Sequence, residues 1–238
     1  MKALLLNSGL GSRMGDLTKD NPKCLVNLTD NETILSRQID ILQKVGVDEF
    51  IITIGPFGDI IPDYLKKMFP LLPVTYVRNE VYETTNYIYS MYLAKKYIED
   101  DLLLLHGDIV LEEKVLKDII NSRQENLAIV DSTVPLPEKD FKCRIENEVI
   151  REIGIHLKKD NNEVLFLLPV YKLSLYFMTH WMKEIENFVH NKNTSVYAEN
   201  AFNVISNNLN LLPFDIKGDF CMEVDTTIDL ETAKKRLG

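Results

Sequence analysis

The 238 residues fit one large domain or one domain with a small appendage, and an apolar share of 45% is enough to fill a core. A formal net charge of −9 argues against general nucleic-acid binding, and no apolar run approaches the length of a membrane span. Cys24, Cys143 and Cys221 show neither metal-ligand nor disulfide spacing and no signal-peptide pattern leads the first strand, so the expectation is a cytoplasmic protein without membrane insertion.

Residues 2–6, Lys-Ala-Leu-Leu-Leu, read as a buried strand. A small-residue loop follows at once, Asn7-Ser8-Gly9-Leu10-Gly11-Ser12, closed by Arg13, and Pro22-Lys23 comes after a polar stretch. Glycines directly after a strand let backbone N–H groups approach a ligand, and the flanking cations suit phosphates. The P-loop spacing is absent, and Met14 stands where a dinucleotide fingerprint would need its third glycine. Residues 33–46 have helical apolar spacing and stop at Gly46; residues 50–54 form a second buried strand; a helix opens at Pro62; residues 74–77 form a third strand. This alternation predicts an α/β fold, a doubly wound and mostly parallel sheet whose ligands sit beyond the carboxyl ends of its strands.

Residues 79–93 carry a dense run of tyrosines with Asn86 at its centre, and Thr84 or Thr85 is the expected cap of the helix there. Leu102-Leu103-Leu104-Leu105-His106 is a central strand ending in Gly107-Asp108. A small β insertion is expected around residues 132–170 within a single domain, 1–238. Its hairpin turns at Asn147, and Lys142 and Arg144 share one face, as a solvated edge or as a phosphate contact. Residues 158–163 read as a polar turn, residues 164–168 as a strand, and a helix runs from about Leu173 to His190. In Glu223-Val224-Asp225-Thr226, alternation puts Glu223 and Asp225 on one face, and Thr226 with Asp229 forms a capping box for a closing helix.

The string from Lys2 to Arg13, with Pro22-Lys23, resembles the signature of the sugar-phosphate and choline-phosphate nucleotidylyltransferases. Residues 85–93 resemble the Asn-x-x-Tyr-Ser-Leu-Tyr-Leu segment of choline-phosphate cytidylyltransferases, and Glu-Val-Asp-Thr-x-x-Asp-Leu resembles the C-terminal metal motif of that family. The resemblance implies a Rossmann-like nucleotidyltransferase fold and transfer of a nucleotidyl group, most simply from CTP, to a small phosphorylated or phosphonate acceptor with release of pyrophosphate. It implies magnesium (Mg2+) held by Asp108 and Asp225, and catalytic roles for Arg13 and Lys23. Nucleotide contacts fall to Leu6, Asn7, Ser8, Gly9, Gly11, Ser12, Arg13, Lys23, Asn79, Thr85, Asn86 and Asp108.

The acceptor would meet Tyr87, Tyr89, Tyr197, Glu199 and Glu223. The tyrosines suit a cationic head such as that of phosphocholine or 2-aminoethylphosphonate, unless they are core residues. Glu199 reads equally well as a solvated helix acid, and His106 has no assigned role. Two other readings stay open: a sugar-1-phosphate nucleotidylyltransferase, and a non-catalytic nucleotide-binding regulator on the same scaffold.

Overall fold

The protein is described by a computed structural model over residues 1–57, 59–159 and 162–237. Its first strand, β1 (Lys2–Asn7), is followed by a 3₁₀ segment (Ser12–Thr18) and a short 3₁₀ turn (Lys23–Leu25). Then come α1 (Ile34–Lys44), β2 (Glu49–Ile54), α2 (Ile60–Met68), β3 (Val74–Arg78), α3 (Tyr87–Ala94), β4 (Leu102–His106), β5 (Ile109–Leu111) and α4 (Glu113–Asn121). The second half holds β6 (Leu127–Asp131), β7 (Lys142–Glu146), β8 (Val149–Gly154), β9 (Glu163–Leu173), α5 (Leu175–His190), α6 (Ala198–Ile205), β10 (Leu212–Asp215), β11 (Cys221–Glu223) and α7 (Thr227–Leu237).

The main sheet runs β10-β6-β9-β4-β1-β2-β3. β1 lies parallel to β2 and β4, β2 to β3, and β6 to β10; β9 runs antiparallel between β4 and β6. A doubly wound strand must be apolar on both faces, and β1 shows why its run is continuous. Leu4 and Leu6 join Ile88, Met91, Phe177 and Trp181 on one side, while Ala3 and Leu5 join Leu35, Ile39, Leu42 and Leu116 on the other. Each fully buried leucine contributes roughly 1.5–3 kcal/mol to folding. No helix among the described residues is long and apolar enough to cross a membrane.

Several local expectations shift. α2 opens at Ile60, so Pro62 falls inside its first turn, where a missing N–H costs little. The cap of α3 is Asn86, whose Oδ1 accepts from the Tyr87 amide at 2.7 Å, in place of Thr84 or Thr85. α5 begins at Leu175 behind the capping hydroxyl of Ser174. The hairpin turns at Asn147 and Glu148, both with positive φ, the backbone form that matches strand twist in a two-residue loop. β7 pairs with β8 and with β9, so the hairpin continues the main sheet. Lys142 is not on a solvated edge: it is 2% exposed, and its Nζ donates to the carbonyls of Pro137 (2.8 Å) and Glu138 (3.4 Å). Arg144 pairs with Glu152 at 2.8 Å. Residues 160 and 161 of the expected polar turn lie outside the described residues.

Candidate active site

The loop after β1 is folded back so that Lys23 lies against it. Gly11 has φ +63°, and a Cβ there would come within 2.9 Å of the Lys23 Cβ; only glycine meets both demands. The Thr18 hydroxyl donates to the Gly11 carbonyl at 2.9 Å and fixes the return of the chain. Pro22, extended, then delivers Lys23 into the site.

Two acids that sit far apart in the sequence converge on that lysine. Asp108 stands two residues beyond the end of β4, and Asp225 two beyond β11, which pairs antiparallel with β5 and is carried to the site by it. Lys23 Nζ donates to Asp108 Oδ2 at 2.7 Å and to Asp225 Oδ1 at 2.6 Å, while Arg13 reaches Asp225 Oδ2 at 2.7 Å. Asp229 accepts from the amides of Asp225 (3.2 Å) and Thr226 (2.7 Å), the expected capping of α7, which also aims the Asp225 backbone. Burial disfavours the charge on Lys23, yet Asp108 and Asp225 outweigh it and raise its pKa. Burial likewise works against the Asp108 carboxylate, but Lys23 and then His106 hold it below its usual range.

Two clefts share this cluster. One of about 270 Å³ is lined by Gly9, Leu10, Gly11, Ser12, Arg13, Lys23, Asp108 and Asp225. The other, about 510 Å³, is lined by Arg13, Asn86, Tyr87, His106, Asp108, Asp140, Phe141, Tyr197, Glu223 and Asp225, together with Glu138, Lys139 and Ile155. Aromatic rings form one wall of the larger cleft: Tyr87 is edge-on to His106 at 4.7 Å and 5.9 Å from Tyr197, which meets Phe141 at 5.0 Å. Carboxylates form another. Glu223 is held well above its ordinary pKa by burial and by the charges of Asp108 and Asp225. Asp140 is raised by burial and by Asp225.

Ligand atoms of His106, Asp108 and Glu223, and separately of Asp140, Glu223 and Asp225, lie within 4.8 Å of one another. Asp108 Oδ1 is buried with no partner among the described residues. A hard divalent cation such as Mg2+ takes carboxylate oxygens in this way, with waters and phosphate oxygens completing its shell, so the residues present fit it.

The remaining sequence-predicted residues separate into groups. Ser8, Asn79 and Thr85 form a network behind the loop: Ser8 Oγ meets Ser90 Oγ at 2.7 Å, and Asn79 Nδ2 donates to Ser90 Oγ (3.1 Å) and Thr85 Oγ1 (3.0 Å). Leu6 and Asn7 are buried at the end of β1. Tyr89 lies tilted against Tyr92, with ring centroids 5.9 Å apart, and is not part of either cleft's lining. Glu199 is no solvated helix acid. It is 1% exposed and accepts from the Tyr171 hydroxyl at 2.9 Å and from the Tyr87 hydroxyl, so it reaches the cleft only through Tyr87. Sequence reasoning passed over Asp140, Phe141, Ser90 and Tyr171, and left His106 without a role. Two of them carried a signal: His106 in its place beside Gly107-Asp108, and Ser90 as the serine of the segment 85–93.

A match to the MobA-like NTP transferase domain covers residues 3–142, more than half of the chain. The chain belongs to the MobA-like NTP transferase family. This NTP transferase is 27% identical to the CTP:phosphoglutamine cytidylyltransferase of Campylobacter jejuni, over 97% of this chain and 98% of that one. It is 25% identical to the choline-phosphate cytidylyltransferase of Haemophilus influenzae, over 100% and 97% respectively. Its fold matches the CTP:phosphocholine cytidylyltransferase from Streptococcus pneumoniae with a TM-score of 0.80 at 20% identity, covering 100% of this chain and 99% of that one.

The raised pKa of Glu223 gives the transferase a stability signature. A carboxyl whose folded pKa exceeds its unfolded one binds its proton more tightly in the native state, so stability falls as pH rises through that interval. Glu223→Gln removes the titration. In melts with EDTA, the variant is expected to gain over wild type more at pH 8 than at pH 4; equal differences at the two pH values would refute the assignment.

Proposed function

We propose that this protein transfers a cytidylyl group from CTP to a small phosphorylated or phosphonate acceptor with a cationic head, phosphocholine first and 2-aminoethylphosphonate second, and releases pyrophosphate. The observation that carries the reading is the Lys23 ammonium held between Asp108 and Asp225, with Arg13 beside them, where the glycine-loop cleft meets the aromatic cleft. The glycine loop suits the triphosphate, and the wider cleft suits the acceptor.

In the transfer an acceptor oxygen forms a bond to the α-phosphorus as the bond from that phosphorus to the pyrophosphate oxygen breaks. The protein's contribution is position and charge. Lys23 stabilises charge on the α-phosphate, and Arg13 stabilises it on the departing pyrophosphate. Asp108 and Asp225 would hold Mg2+, with Glu223 adjacent; the ion when bound supplies charge neutralisation at the phosphates. Tyr87 and Tyr197 offer ring faces to an ammonium group, each good contact being worth about 0.5–2 kcal/mol. Glu223 and Asp140 add negative potential there. Pyrophosphate release is measured with CTP, UTP, dTTP, ATP and GTP against phosphocholine, 2-aminoethylphosphonate and glucose 1-phosphate. The expected optimum is CTP with an amine-bearing acceptor. A purine triphosphate optimum contradicts the cytidylyl reading, and a glucose 1-phosphate optimum contradicts the acceptor reading.

A further inference from the structure

Gln38 is out of character with its helix. α1 buries Ile34, Leu35, Ile39, Ile41 and Leu42, and Gln38 among them is 1% exposed. Burying a carboxamide is unfavourable unless it is hydrogen-bonded. Its Nε2 donates to two backbone carbonyls, His106 at 2.9 Å and Ile109 at 2.8 Å. Those carbonyls bracket a single dipeptide, Gly107-Asp108. One side chain therefore grips the turn that presents Asp108, from both flanks.

Other ties converge on the same turn. The Gly107 amide donates to the Leu6 carbonyl at 3.0 Å, and the Val224 amide donates to the Asp108 carbonyl at 2.9 Å. A Cβ at position 107 would lie 1.9 Å from Asn7 Oδ1, so the Asn7 side chain forms a wall against the glycine. These contacts leave the Asp108 backbone little freedom, and Gln38 is the only side chain among the described residues that bonds to carbonyls on both sides of it. Gln38 Oε1 is buried without a partner among the described residues, so the carboxamide is not there for its own satisfaction. A leucine of similar size would extend the apolar stripe of α1 and would supply everything except the grip on the turn.

We infer that Gln38 is the positioning residue for Asp108: it sets the direction in which that carboxylate faces Lys23 and a bound divalent cation. The inference rests on the reading of Asp108 as a cation ligand. It touches no substrate, so its effect passes through the turn. Loss of a group that orients a metal ligand typically weakens metal affinity about 10–100-fold.

The test compares wild type with Q38L and Q38M, which keep bulk and remove the donors, and with D108N. Mn2+ binding is followed by EPR, with no nucleotide present, and amide hydrogen exchange is followed across residues 104–110. Q38L and Q38M are expected to weaken Mn2+ binding about 10–100-fold, to speed exchange in the turn, and to lower kcat while the acceptor KM holds. Q38M serves if Q38L does not fold. Should a folded Q38 variant bind Mn2+ as wild type does while D108N does not, Gln38 is only a core residue and the proposal is overturned. If D108N also binds as wild type, the ligand reading of Asp108 has failed and the proposal falls with it.

Discussion

Asp108→Asn is expected to reduce pyrophosphate release by about a thousandfold at saturating CTP and acceptor, the rate equivalent of about 4 kcal/mol of lost charge stabilisation. The substitution keeps the shape of the side chain and leaves Lys23 paired with Asp225, so the fold should survive. It removes the carboxylate whose Oδ1 is buried without a partner among the described residues and whose Oδ2 accepts from the Lys23 ammonium. The same assay in EDTA should lose comparable activity, and added Mg2+ should restore the wild type but not the variant. A variant that keeps within tenfold of wild-type turnover would remove Asp108 from the chemistry.

Lys23→Met is expected to damage both activity and stability. The ammonium separates two carboxylates that it contacts at 2.7 and 2.6 Å, in surroundings where its side chain is only 13% exposed. Without it, Asp108 and Asp225 face each other, and Arg13, which reaches Asp225, has a side chain that is 63% exposed. Breaking a buried pair costs roughly 3–5 kcal/mol, and partial exposure here places the loss at about 3 kcal/mol or less.

The pH dependence follows from the shifts. The raised pKa of Lys23 means its stabilisation is whole below the ordinary lysine range and is lost only as pH climbs through the folded value. The lowered pKa of Asp108 means its stabilisation is present above the ordinary aspartate range and fades as pH falls through the folded value. The stability gap between wild type and variant should therefore be widest between about pH 5 and pH 10 and should narrow in acid. Denaturant melts at pH 3 and pH 7 check this. A gap that is the same at both would show that the pair contributes no charge interaction.

Much of this site could be read from the sequence because its signals are local. A continuous apolar strand running into glycines needs only neighbours in the chain to be recognised, and so does an acid just beyond the end of a strand, as Asp108 and Asp225 are. Tyr89 lies off both clefts for a reason that a local rule supplies: residues two apart on a helix do not share a face, so Tyr87 and Tyr89 do not line one cleft together. Glu199 needed knowledge that no local pattern holds. Its partner Tyr171 lies on β9, and only the packing of α6 against the sheet turns an apparent surface acid into a buried one. Lys142 reads as a surface cation by alternation, but it is covered and spends its charge on two carbonyls of the preceding loop. Asp140 sits in a polar stretch with no periodicity, and the hairpin that follows brings it to the cleft.

The Val224 amide bonded to the Asp108 carbonyl, together with the β11–β5 pairing around it, has a consequence for synthesis on the ribosome. The glycine loop, Arg13 and Lys23 leave the exit tunnel first, long before Asp225 exists. Until then Lys23 has one carboxylate partner of this pair at most, and Arg13 has none. Only when residues 221–229 emerge does the charge cluster complete itself. An arrested or clipped product ending before β11 should therefore carry the glycine loop without the completed charge cluster.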